Sequence, residues 1–347
     1  MPERSLSRRL RPATFAEVRG QDPIIRTLRR AIDAGRLPQA LLFGGPRGTG
    51  KTSTARIVAA ALNCAGRVDR EPCTTCASCR AIRDGRSFDV RETNAALHNR
   101  IDDIRDDLLP FLLVPPAGLA TKVLILDEAQ RFSDEAWDAL VRPIEEPLPR
   151  VVLIIATTEP DRIPATVRSR LMRFDFRPLS ADLIAAKLTD ALAVEGRTAE
   201  PEAVALVAAL ADGGMRDAES MLEQLLAGGA DPLTTTDVEE LLGVPPAAEI
   251  ERLADAILRT DAVTALALLA AFETRGRTPG AIITALEALV TRALAAALPT
   301  GSVPDSLPLA GRSSNELLVL GEALTEAGRG RSDADRRLAL ELLVLGG

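Results

Sequence analysis

The sequence predicts a three-layer α/β domain built around a phosphate loop, then a small helical domain, then an all-helical C-terminal domain. Three observations carry that expectation. A glycine-rich loop follows directly on the apolar run at residues 40–43. A second apolar run, residues 122–126, ends in the carboxylate pair Asp127-Glu128. Beyond residue 180 the β-branched clusters vanish, and apolar residues recur at helical spacing.

The loop reads Gly45-Pro46-Arg47-Gly48-Thr49-Gly50-Lys51-Thr52. Gly45, Gly48 and Gly50 allow the tight curl that turns successive N–H groups toward phosphate oxygens. Lys51 reaches the outer phosphates and the Thr52 hydroxyl completes a Mg²⁺ shell. Residues 53–63, starting at Ser53, read as a helix whose N-terminal dipole faces the anion.

Buried parallel strands read as continuous apolar runs, and ligands gather at their C-terminal ends. Asp127 therefore stands where it can hold Mg²⁺, and Glu128 where it can polarise an attacking water. A third strand, residues 151–156, delivers Thr157 and Thr158 to the same edge. Their hydroxyls either sense the terminal phosphate or cap the turn before Glu159-Pro160. Further strands are expected at 88–91 and 173–176, with helices between them. Arg168-Ser169-Arg170 offers phosphate-sensing arginines, or a solvent-exposed pair.

All four cysteines, Cys64, Cys73, Cys76 and Cys79, fall within 16 residues. The C-x2-C-x2-C run sets three thiolates around one turn, and Cys64 can close a tetrahedron. The expected ligand is a structural Zn²⁺, with an iron–sulfur cluster or free thiols as alternatives. His98, the single histidine, is given no ligand duty.

The formal charge of -7 is uneven: residues 1–60 hold twelve Lys/Arg against four Asp/Glu, leaving -15 for the rest. A basic surface of that kind can face DNA phosphates or simply water. Glu273, Arg275, Glu287 and Arg292 interrupt the Ala/Leu-rich C-terminal region, so no membrane span is expected. The polar, basic N-terminus has no apolar signal core, which predicts a cytoplasmic protein. In Gly213-Gly214-Met215-Arg216-Asp217-Ala218, Arg216 either points back to a bound nucleotide or is an ordinary surface arginine. Expected domains are 1–179, with the cysteine insert at 64–79, then 180–243 and 244–347. Helices are expected at 180–196, 201–210, 237–242, 247–259, 262–274, 279–297, 313–327 and 331–345, with another opened by the segment 213–218 and running to about 226.

Taken together these motifs resemble the gamma/tau subunits of the bacterial DNA polymerase III clamp loader, which are AAA+ ATPases. The match comprises Leu10-Arg11-Pro12, Phe15 and Val18-Arg19-Gly20-Gln21, the phosphate loop and the four-cysteine insert behind it. It continues through Asp127-Glu128, Glu145-Glu146-Pro147, Ala156-Thr157-Thr158-Glu159-Pro160, Ser169-Arg170 and Gly214-Met215-Arg216-Asp217-Ala218. The resemblance implies the length of a short gamma-like form, with the extended tau-like region not expected within it. Departures stand at Leu171 (often Cys), Gln130-Arg131 (usually His-Met), Arg142-Pro143 (Lys-Thr) and the distorted 93–98 segment.

The resemblance implies an AAA+ ATPase domain, a helical lid and an all-α oligomerisation collar. It implies ATP, Mg²⁺ and Zn²⁺ as cofactors. Arg11 and Pro12 would flank adenine, and Thr157 or Thr158 would be the first sensor. Arg170 would be an arginine finger for a neighbour's ATP, and Arg216 the second sensor. Implied partners are delta and delta-prime type subunits, further copies of the chain, the sliding clamp and primer–template DNA, with single-strand-binding protein met through other subunits. The implied work is ATP-driven clamp loading in a DNA-directed DNA polymerase (nucleotidyltransferase) holoenzyme, in the cytoplasm at the nucleoid. No polymerase active site is apparent. The alternatives are a weakly hydrolysing nucleotide-binding scaffold, or another DNA-remodelling AAA+ ATPase, against which the cysteine insert argues.

Overall fold

A computed structural model describes residues 5–97, 101–299 and 301–345; His98 lies outside them. The chain divides into two compact units, Met1–Gly228 and Gly229–Gly347. The first contains a parallel five-stranded sheet: β1 Ala40–Gly44, β2 Val90–Asn94, β3 Lys122–Asp127, β4 Val151–Thr157 and β5 Met172–Asp175. Their order across the sheet is β2-β3-β4-β1-β5. The central strands β1, β3 and β4 are buried along nearly their whole length, as their uninterrupted apolar runs require. The edge strands β2 and β5 carry polar residues and are partly exposed.

Alternation along each strand feeds two cores, one per face of the sheet. Leu41, Phe43, Val123 and Ile125 pack with Ile57 and Val58 of helix Lys51–Asn63 and with Leu28 of helix Asp22–Asp33. Leu42, Leu124, Leu126 and Ile155 face Trp137, Leu140 and Ile144 of helix Asp134–Glu145. Three layers result, as expected for a sheet with two apolar faces.

The second strand starts later than its sequence implied. Phe88 is 94% exposed and stands outside the sheet, while Val90–Asn94 pairs with β3 from Val90↔Val123 to Asn94↔Asp127. An edge strand buries only alternate residues, so Phe88 was an apolar residue outside the true repeat.

Helices Ala181–Val194, Pro201–Leu210 and Met215–Ala227 complete the first unit. Ser180 caps the first of them through a bond from the Leu183 N–H. The second unit comprises helices Thr235–Leu242, Ala247–Leu258, Ala262–Thr274, Pro279–Ala297, Ser314–Gly328 and Asp333–Val344 among its described residues. Thr234 with Asp237, Ser313 with Glu316 and Ser332 with Asp335 form capping boxes that set three of their starts. Phe272, Leu286, Leu317 and Leu324 are fully buried among them. Pro279–Ala297 is long and apolar enough to cross a membrane by length and composition. Seven of its residues, including Ile282, Leu286 and Val290, are instead buried in this helical core.

Candidate nucleotide and metal sites

Strand order brings the chemistry together. Adjacent strands β3, β4 and β1 deliver Asp127, Thr157 and Gly44 at one edge, with Gly44 in register with Thr157 and Leu126 with Ile155. At that edge a cavity of about 350 Å³ opens. Gly48, Gly50, Lys51, Thr52 and Ser53 line its floor, Asp127, Glu128, Thr157 and Thr158 one wall, and Arg11, Pro12 and Arg216 the remainder. Gly45 and Arg170 do not line it.

Two of the loop glycines are required by space. At Gly45, where φ is 138°, a Cβ would sit 2.2 Å from the Phe176 carbonyl oxygen. At Gly48, with φ at 78°, it would meet the Gly214 Cα at 2.8 Å. This second approach is close because the Met215 N–H donates to the Gly48 carbonyl at 3.1 Å. The loop and the helix that carries Arg216 are therefore in direct contact, within one unit.

The Lys51 ammonium donates to the carbonyls of Gly45 (2.7 Å) and Pro46 (2.6 Å). Burial lowers its pKa, while the charges of Asp127 and Glu128 oppose that shift. The Thr52 hydroxyl donates to Asp127 at 2.9 Å, and the Glu128 N–H donates to the same carboxylate at 3.0 Å. Burial nevertheless raises the Asp127 pKa; those two hydrogen bonds oppose the shift, and the nearby charges of Glu128 and Glu92 add to it. Hydroxyl and carboxylate thus lie paired beside the phosphate loop, an oxygen donor set that suits Mg²⁺.

Glu128 occupies the left-handed region with φ at 53°, where the chain leaves β3 for the short turn Ala129–Arg131. Its carboxylate accepts a bond from the Gln130 side-chain amide at 2.6 Å. The same amide nitrogen donates to the Thr158 hydroxyl at 2.9 Å, and the Gln130 carbonyl oxygen accepts from the Thr157 hydroxyl at 2.8 Å. Sequence reasoning noticed Gln130 only as a departure from a family pattern. Its position three residues beyond Asp127 was the one available signal. Also unassigned from sequence were Lys187 and the buried Glu219, which line the cavity and pair at 3.3 Å. Burial raises the Glu219 pKa against the opposing charge of Lys187.

The residues that flank Arg170 in sequence include no acid within four positions. Arg170 pairs with Glu145, at the end of helix Asp134–Glu145, at 2.6 Å, with both side chains substantially exposed. The partner lies 25 residues upstream, beyond the reach of local inspection.

Away from the cavity, the four cysteine sulfurs lie within 4.8 Å of one another. A tetrahedral site with metal–sulfur bonds of about 2.3 Å places its sulfurs roughly 3.8 Å apart, so the cluster fits such an ion with small adjustment. The N–H groups of Cys73, Cys76 and Cys79 donate to the sulfurs of Cys64, Cys73 and Cys76 at 3.3, 3.3 and 3.4 Å. Bonds from the backbone of Cys76 and Thr75, together with Cys64, lower the Cys73 pKa to about 6. Burial and the neighbouring Cys76 and Cys64 raise that of Cys79. Four converging thiols with one already acidic constitute a soft-metal donor set.

Sheet order, phosphate loop, acid pair and helical lid define a P-loop AAA+ domain. The family model "DNA polymerase III, delta subunit" matches residues 20–180, and "DNA polymerase III clamp loader subunit, ATPase lid domain" matches residues 183–231. DNA polymerase III subunit tau of Bacillus subtilis is 38% identical over 82% of this chain and 50% of its own length. The Salmonella typhimurium subunit tau is 31% identical over 98% of the chain and 51% of its own length. The chain belongs to the DNA polymerase III gamma/tau family of clamp-loader subunits. It spans about half the length of these relatives. Among solved structures, the Thermotoga maritima RuvB Holliday junction branch migration motor aligns with a TM-score of 0.51 at 19% identity. That alignment covers 72% of this chain and 79% of the motor, and it shows a shared fold.

Proposed function

We propose that the chain is the ATP-hydrolysing subunit of a sliding-clamp loader acting on primer–template DNA at the nucleoid. The observation that carries this reading is one cavity lined by the phosphate loop, Asp127-Glu128, both threonines and Arg216. Lys51 and the loop N–H groups would bind the phosphates, and Arg11 and Pro12 the adenine end. Thr52 and Asp127 would hold Mg²⁺, which would supply charge neutralisation on the phosphates. Glu128 would orient the attacking water and take its proton as the new phosphorus–oxygen bond forms and the bond to ADP breaks. Cys64, Cys73, Cys76 and Cys79 would hold Zn²⁺, whose four-thiolate shell leaves no open position and is therefore structural. Arg170, exposed and outside the cavity, would serve a neighbour's ATP in trans after leaving Glu145. Family membership supports delta and delta-prime type subunits, further copies and the clamp as partners, and residues 1–179, 180–243 and 244–347 as ATPase, lid and collar.

Steady-state turnover and nucleotide binding on the assembled complex test this reading. Lys51→Ala should abolish tight ATP binding. Glu128→Gln should retain binding and lose turnover by roughly 10²–10⁴-fold. Normal turnover in Glu128→Gln would defeat the water-activation role. No stimulation of the unmodified complex by primed DNA and clamp would favour a nucleotide-binding scaffold.

A further inference from the structure

The Gln130 side chain makes three hydrogen bonds, and each of its partners is a group the ATPase reading needs. An amide has two N–H donors and one carbonyl oxygen. One N–H reaches the Glu128 carboxylate at 2.6 Å, the other the Thr158 hydroxyl at 2.9 Å, and the oxygen accepts from Thr157 at 2.8 Å. The orientation is not arbitrary. Rotating the amide by half a turn would set its oxygen against a carboxylate that only accepts. Gln130 itself is half-buried and stands behind the cavity wall.

The two threonines are not equivalent in this arrangement. Thr157 is 1% exposed, accepts from the Glu159 N–H at 3.1 Å and donates its single hydroxyl hydrogen to Gln130. It has no hydrogen left for a phosphate. Thr158 accepts from Gln130 and lines the cavity, so its own hydrogen is free to donate to a terminal phosphate oxygen.

We propose that Gln130 is a positioning residue that couples the Thr158 hydroxyl to the Glu128 carboxylate. When Thr158 donates to the terminal phosphate, its shift draws on the amide that also holds Glu128, and the carboxylate is set for the attacking water. Thr157 anchors the amide oxygen and keeps the amide from turning. The inference rests on the ATPase reading above and adds to it the residue that links phosphate sensing to water activation.

The test compares kcat, ATP affinity and melting temperature of the assembled complex carrying Gln130→Leu, Gln130→His or Thr158→Val. Gln130→Leu should lower kcat roughly 10- to 100-fold, the loss expected for one hydrogen bond to a charged group. ATP affinity should stay within about threefold, because Gln130 does not itself line the cavity and the phosphate loop is untouched. Gln130→His keeps one donor for Glu128 and one acceptor for Thr157 but lacks the second N–H for Thr158, so it should recover only part of the rate. In Gln130→Leu/Thr158→Val the losses should overlap rather than multiply, because both break one chain of bonds. Additive losses in that double variant would overturn the proposal. So would a Gln130→Leu defect that follows melting temperature and ATP affinity alone, or no recovery in a folded Gln130→His complex. If Glu128→Gln also turns over normally, the water-activation role on which this inference rests fails; if only Gln130→Leu does, the coupling alone fails.

Discussion

The nucleotide cavity and the cysteine cluster are assembled in opposite ways. The cavity draws on residues from Ser7 to Glu219, and its acid pair, threonines and phosphate loop meet because β3, β4 and β1 lie side by side. The four thiols come from 16 consecutive residues and meet across one helix end and one turn. A distributed site depends on the whole sheet, whereas a local one depends mostly on its own ligands. The cavity should therefore fail functionally with the fold intact, and the cluster should fail in stability with the chemistry intact.

The largest expected effect extends the cavity's dependence beyond a single chain. Arg170→Ala should reduce DNA-stimulated turnover of the assembled complex by roughly 10³–10⁵-fold, the usual contribution of an arginine supplied in trans. ATP affinity and melting temperature should barely change, because the Arg170–Glu145 pair is substantially exposed and such pairs contribute about 0–1 kcal/mol. Mixing Arg170→Ala chains with Lys51→Ala chains should restore some activity, as the two defects lie on opposite sides of one interface. A loss of monomer stability matching the loss of turnover would instead make Arg170 structural, held by Glu145.

The opposite signature is expected at the cluster. Cys76→Ser should lose the metal, one Zn²⁺ per chain by elemental analysis, and lower the melting temperature by on the order of 10 °C. ATP affinity should remain within about threefold. One contact could blur this separation. Glu71, inside the insert, accepts from the Phe15 N–H at 2.6 Å and pairs with Arg29, and so holds the segment that follows Arg11 and Pro12. A tenfold loss of ATP affinity on metal removal would show that the insert acts on the cavity through Glu71.

Legibility in the sequence followed the same division. Lys51, Thr52 and Asp127 could be read because their spacing expresses backbone geometry, and the cysteines because their spacing expresses a tetrahedron. The central strands were readable from unbroken apolar runs. The edge strand was misplaced toward Phe88, because an edge buries only alternate residues and its apolar signal is weak. Gln130 had no readable role, since its partners Thr157 and Thr158 lie at the end of the neighbouring strand. Glu145 was missed for Arg170 for a similar reason. Each of these contacts is set by tertiary adjacency, which no local pattern encodes.

The smallest effect tests the cost of assembling the cavity. Burial raises the Asp127 pKa despite hydrogen bonds from Thr52 and the Glu128 N–H, so the folded chain holds that proton more tightly than the unfolded chain. The associated stability is fully present below the ordinary carboxylate range and is lost as pH rises through the raised value. Above the raised value the ionised Asp127 is therefore a net burden on the nucleotide-free protein. Asp127→Asn removes the charge and still accepts from Thr52, so it should raise the melting temperature by a few degrees at neutral pH. That gain should fade on acidification, as the native carboxyl takes up its proton. The same variant should weaken Mg²⁺-dependent ATP binding, because the ionised carboxylate is the ligating form. Acidifying the unmodified protein should weaken that binding at a higher pH than an ordinary aspartate would require. A melting temperature lowered by Asp127→Asn at neutral pH would mean that the Lys51 charge outweighs burial, and the cavity would then be stabilised by its own electrostatics.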